Sequence, residues 1–141
     1  MRAIEFSTLK SSPQTPLSEC LKRLSAGIAE IIGRCQPGAA AIEEAFYSQN
    51  VRTALTLGQT RGVAIAVCAE RGVPVFEYAP RRVKQAVVGF GAAEKRQVQE
   101  MVIRLLSLDA GLSHDASDAL AIAICHLHHR TGHAQLMPKA I

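Results

Sequence analysis

The chain opens with RAIEFSTL, residues 2–9, in which apolar and polar positions alternate as they do along a half-buried strand. KSSPQT follows as a turn. From Pro16 to about Cys35 the period lengthens. Leu17, Leu21, Leu24, Ile28 and Ile31 fall near helical spacing, Thr15 is placed to cap the helix, and QPG closes it. AAAIEEAF, 39–46, is a short, mostly apolar run that predicts a buried strand, with YSQN as a loop behind it. A long helix is predicted over about 51–71 and a strand within GVPVFEYAP, 72–80. RRVKQAVVGF reads as a short helix closed by GFG. An amphipathic helix is predicted over 93–107, a loop over 108–114 and a last helix over 115–130, and the tail from Thr131 predicts fraying. The order β-α-β-α-β-α-α-α puts parallel strands beneath flanking helices, an α/β arrangement, although three strands are few for such a sheet.

Composition narrows the class. The 141 residues suffice for one domain with a real core. They are 48% hydrophobic but only 4% aromatic, with no Trp, as expected for a core of Ala, Val, Leu and Ile. A net charge of +4 permits a polyanionic partner without requiring one. The four cysteines form no CxxC pair and read as reduced and cytosolic, with no disulfide framework or zinc site. MRAIEFSTLK lacks the apolar stretch of a signal peptide, and no apolar run reaches membrane-spanning length, so a cytoplasmic protein without membrane contact is expected.

Against this background SHDASDALAIAICHLHHR, residues 113–130, is unusual. Two of the chain's three aspartates, Asp115 and Asp118, stand one helical turn apart at the entrance to an apolar helix. Capping by Asp115 and the helix dipole account for one of them more easily than for both. Neighbouring carboxylates repel unless a cation or proton sits between them, and Mg²⁺ accepts one or two carboxylates plus water and phosphate. A further carboxylate is available in Glu43 or Glu44, which alternate across the 39–46 strand near its carboxyl end, where open α/β sheets bind ligands. Such a cluster suits phosphodiester hydrolysis. Phe46 begins a polar loop. It is either a core residue or a platform for an unpaired base. Arg81, Arg82, Lys84, Lys95 and Arg96 flank VVGFGAAEK as either a solvated face or phosphate contacts near flexible glycines. The histidines of HLHH point around the helix and read as a polar last turn rather than a metal site. Gly58 and Gly62, spaced i, i+4 within a helix, imply close packing, either internal or across a dimer.

Taken in order, AIEEAF, LGQTRGVAIA, PVFEYAPRRVKQAVVGFGAAEK and DASDALAIAICH resemble the bacterial Holliday junction resolvases of the RuvC type, in the RNase H-like superfamily. The resemblance runs from about Arg2 to Arg130 and so implies one nuclease domain over 1–130 with a tail at 131–141. It implies an α/β fold, an RNase H-like mixed sheet with flanking helices. It also implies symmetric, Mg²⁺-dependent nicking of four-way DNA junctions (with Mn²⁺ as a possible substitute), a homodimer, and work alongside the RuvA–RuvB branch-migration complex. By position, Glu43, Asp115 and Asp118 match metal-binding acids. Lys84 and Lys95 match basic residues near the scissile phosphate. Phe46 matches a base-stacking aromatic, and Asn50, Arg81 and Arg82 join Lys84 and Lys95 as expected DNA contacts.

The resemblance also has a gap. The family's first strand ends in a GIDPG-like motif whose aspartate is the first metal ligand, and nothing here matches it. The implied fold therefore lacks its first, central strand region. Two explanations are open: a start placed downstream of the true one, which the otherwise intact motifs favour, or a shortened protein. Three functional expectations follow: a resolvase, a catalytically impaired module that grips junctions without cutting them, or a fragment that does not fold stably.

Overall fold

A computed structural model describes residues 1–44, 50–109, 111–131 and 138–141. Among these residues the chain runs α1 (Leu17–Cys35), β1 (Ala40–Glu43), α2 (Val51–Glu70), β2 (Val75–Tyr78), α3 (Pro80–Val88), α4 (Lys95–Leu106) and α5 (His114–Thr131). β1 and β2 are parallel: Ala40 N–H donates to Pro74 O at 2.8 Å and Glu44 N–H to Tyr78 O at 3.0 Å, with a constant offset along both strands.

Residues 2–9 correct the first expectation, because they form no strand. Alternation alone does not make one. A strand needs a neighbour for its backbone groups, and among the described residues none pairs with this segment. Ile4 is consequently 81% exposed. Thr8 is held instead by its side chain, with its Oγ1 3.2 Å from Ser113 Oγ. A second correction concerns the tail. Ala140 forms an antiparallel bridge with Phe76, and Ile141 N–H donates to Val75 O at 3.0 Å. The outer edge of β2 offers unpaired backbone groups, and these residues satisfy them.

Local signals explain the helix boundaries. Pro16, not Thr15, is the N-cap of α1. It makes no side-chain cap bond, and its fixed φ of −55° sets the entry to the helix. Asn50 caps α2 by accepting from Thr53 N–H at 3.1 Å. Gly89 closes α3 at φ +93°, a left-handed conformation that suits glycine. Gly91 is needed for a different reason. A Cβ there would lie 2.4 Å from Arg81 Cγ and 3.2 Å from Arg81 O.

The chain divides into two compact units. One comprises Met1–Thr8, Ala41–Glu44 and Phe76–Ala140. Its core joins α3, α4 and α5 through Tyr78, Val83, Val102, Ala121, Ile124 and Cys125 among others. The other comprises Leu9–Ala40, Ala45–Val75 and Ile141, where α1 and α2 pack together. In that unit α1 has no buried residue and α2 has only Val67 and Cys68. Gly58 and Gly62 do not serve internal close packing: a Cβ at either would meet nothing within 4 Å among the described residues.

Candidate active site

Four of the side chains singled out in the sequence line one cavity of about 290 Å³ in the α3–α5 unit. Glu43 reaches it from the end of β1, Lys84 from α3, Lys95 from the first residue of α4 and Asp118 from α5. Pro80, Val83, Val98, Ala121 and Ile122 complete its walls. This apolar lining was not singled out in the sequence, though its signal was there. Val98 follows Lys95 by one turn, and Ala121 and Ile122 follow Asp118 by one turn, so each shares a helix face with its charged partner.

Capping fixes these helix starts. Glu94 and Gln97 form a reciprocal capping box at α4, with Glu94 N–H donating to Gln97 Oε1 at 2.9 Å, so the backbone of Lys95 is anchored. At α5 the cap is Ser113, whose Oγ accepts from Ala116 N–H at 3.3 Å and whose carbonyl accepts from Ser117 N–H at 2.9 Å. This corrects the reading of Asp115 as a cap. Asp115 lies exposed in the first turn, where its charge suits the helix dipole, and it does not line the cavity. Residues three apart are rotated about 60° from one another around a helix, so Asp118 turns towards Lys95 without bringing Asp115 along. Of the expected trio of Glu43, Asp115 and Asp118, the cavity brings Glu43 and Asp118 together, and among the described residues no three His, Cys, Asp or Glu side chains form one close group.

The pair has the electrostatics of a cation site. Lys95 Nζ lies 3.4 Å from Asp118 Oδ2. The Glu43 carboxyl is pushed above the ordinary carboxylate range, first by desolvation and then by the Asp118 charge, while Lys95 pulls it back down. Glu43 remains exposed by area, so this is the desolvation of a cavity rim rather than of a core. Two carboxylates in mutual repulsion, open to solvent in a cavity that two lysines also line, fit a divalent cation that keeps water and phosphate as its other ligands.

A polar network lies behind α3. The Tyr78 hydroxyl and His126 Nδ1 are 2.9 Å apart. Arg82 Nε donates to His129 Nε2 at 2.9 Å, and its guanidinium lies over the Tyr78 ring. His128 Nδ1 is 3.1 Å from Ala86 O. Three histidines of the HLHH stretch, the polar last turn expected from the sequence, thus tie α5 to β2 and α3. Burial pushes His126 below the ordinary imidazole range, helped by Arg130 and His129, and its Nε2 has no hydrogen-bond partner among the described residues.

The family model for crossover junction endodeoxyribonuclease RuvC matches residues 1–126. A Magnetococcus marinus protein named crossover junction endodeoxyribonuclease RuvC is 46% identical over 140 residues, covering 99% of this chain and 78% of the relative. This chain belongs to the RuvC family. Its fold agrees with that assignment. The solved RuvC of Thermus thermophilus superposes with a TM-score of 0.86 at 35% identity, over 99% of this chain and 83% of that one. A second T. thermophilus RuvC structure, solved in complex with a Holliday junction substrate, gives a TM-score of 0.86 at 32% identity, over 99% and 84%. The α/β, RNase H-like class expected from the sequence is thereby established.

The remaining RuvC-type expectations separate by position. Phe46 lies outside the described residues. Asn50 is engaged as the cap of α2. Arg81 is exposed and crosses Gly91. Arg82 is half-buried and packs against α5 and β2. Its Nε and the face of its guanidinium are taken by His129 and Tyr78, because a half-buried arginine at this point of α3 meets the polar end of α5.

Proposed function

We propose that this chain is a junction-resolving endonuclease, nicking four-way DNA symmetrically through a divalent-metal site at Glu43 and Asp118. The observation that carries the reading is one cavity lined by two acidic side chains and two lysines, on a chain of the RuvC family. Glu43 and Asp118 would hold Mg²⁺ (or Mn²⁺), with Asp115 one turn away as the expected third acid. When bound, the metal supplies an activated water and stabilises the leaving oxygen. Lys84 and Lys95 neutralise charge on the phosphate. Arg81 adds a backbone contact on the exposed side of α3, and Phe46 and Asn50 remain expected DNA contacts. The exposed stripe of Val51, Leu55, Gly58 and Gly62, all on one face of α2, supports a homodimer. Work in the cytoplasm beside RuvA–RuvB is the part of the proposal that the family resemblance supports. No helix among the described residues is long and apolar enough to cross a membrane.

A second reading, a module that binds junctions without cutting them, is favoured by one observation: among the described residues two acids, Glu43 and Asp118, line the cavity. One experiment separates the two. The chain is mixed with a labelled four-way junction, with and without Mg²⁺, and both shift and cleavage are read on gels. The resolvase gives symmetric, metal-dependent nicks, and Asp118→Asn lowers cleavage at least ~100-fold while the shift persists. A shifted but uncut junction with the unaltered chain selects the binding module.

A further inference from the structure

Lys95 occupies an unusual position for a phosphate-binding residue. Its backbone is fixed at the start of α4 by the Glu94–Gln97 box, yet its side chain is 74% exposed. The ammonium nonetheless has a carboxylate neighbour. It lies 3.4 Å from Asp118 Oδ2, and its charge acts on Glu43 against the push of Asp118. Lys84, the cavity's other cation, pairs with no carboxylate among the described residues. A nearby positive charge eases the repulsion between neighbouring carboxylates, and here Lys95 supplies it, in contact with Asp118 and through its field at Glu43.

We propose that Lys95 is the resident counter-ion of the Glu43–Asp118 pair, and that a divalent cation binds these carboxylates only by displacing its ammonium. The pair is solvent-exposed and therefore weak, so displacement is easy. The long stem then frees the ammonium towards phosphate, while the anchored backbone keeps it within reach. Cation binding and phosphate neutralisation are thereby coupled through one side chain. The proposal rests on Glu43 and Asp118 being the cation ligands.

The test is titration of Mn²⁺ into the DNA-free full chain, with free Mn²⁺ read by electron paramagnetic resonance. Lys95→Met should bind Mn²⁺ more tightly, by ~2- to 5-fold, the range expected for loss of one exposed ion pair. Lys95→Arg should keep the unaltered affinity, and Lys84→Met should change it less than Lys95→Met does. Unchanged or weaker binding by Lys95→Met overturns the proposal. So does an equal gain in Lys84→Met, which would reduce the effect to general charge. Glu43→Gln and Asp118→Asn are titrated alongside. If they weaken binding while Lys95→Met gains nothing, the counter-ion role alone falls. If neither weakens binding, the cation-site reading itself falls and takes the proposal with it.

Discussion

The α1–α2 pair and the α3–α5 unit are built from equally regular helical patterns, yet they bury very different amounts. In the α3–α5 unit Val102 and Cys125 are 0% exposed and Ala121 and Ile124 are 1% exposed. In the other unit α1 buries nothing fully, and α2 leaves Val51 72% and Leu55 63% exposed. Periodicity shows which face of a helix is apolar but not what covers it. Of the two units, the closely packed one holds the cavity, as a site needing fixed carboxylates and ammonium groups requires.

The sharpest way to break this contrast is a matched pair of truncations. Ile124→Ala should cost about 2–5 kcal/mol of unfolding free energy in denaturant titration, whereas Ile28→Ala on half-buried α1 should cost less than half as much. Equal costs would mean that α1 is packed as firmly as α5. A smaller effect tests the histidine joint by pH. Because burial depresses His126, the stability it contributes is complete above the unfolded imidazole value of 6.5 and is lost as pH falls through the lower folded value. Thermal midpoints should therefore drop between pH 7.5 and 5.5, and His126→Gln should flatten that drop. A parallel drop in the variant would place the acid sensitivity elsewhere. Least affected in stability should be Leu55→Glu, which should stay within about 0.5 kcal/mol of the unaltered chain yet convert a dimer to a monomer in analytical ultracentrifugation. A large loss of stability would show that the α2 face is already covered within the chain.

How far the sequence could be read follows from the same physics. The helices and both strands were legible because their periods are long or bounded by Gly and Pro. Glu43, Lys84, Lys95 and Asp118 were legible as a set through the family resemblance, and the cavity bears out their proximity. Residues 2–9 were misread because strand formation depends on a neighbour that local alternation cannot report. Ser113 was overlooked as a cap because Asp115, two positions on, has the same preference for helix starts. The role of Arg82 was hidden for a third reason. Its partners His129 and Tyr78 lie 47 residues after it and a few residues before it, and only the packing of α5 on α3 brings all three together.

The placement of the cysteines gives each unit its own chemical clock. Cys20 and Cys35 sit half-buried on α1, while Cys125 is sealed in the α3–α5 core with its thiol pushed up to about 11. At pH 8 only roughly a thousandth of such a thiol is the reactive anion, even before its burial is considered. A thiol reagent added to the native chain would thus mark α1 promptly and reach α5 only in molecules whose core has opened. The order in which the labels arrive, read by mass spectrometry, would time the breathing of each unit without altering a residue.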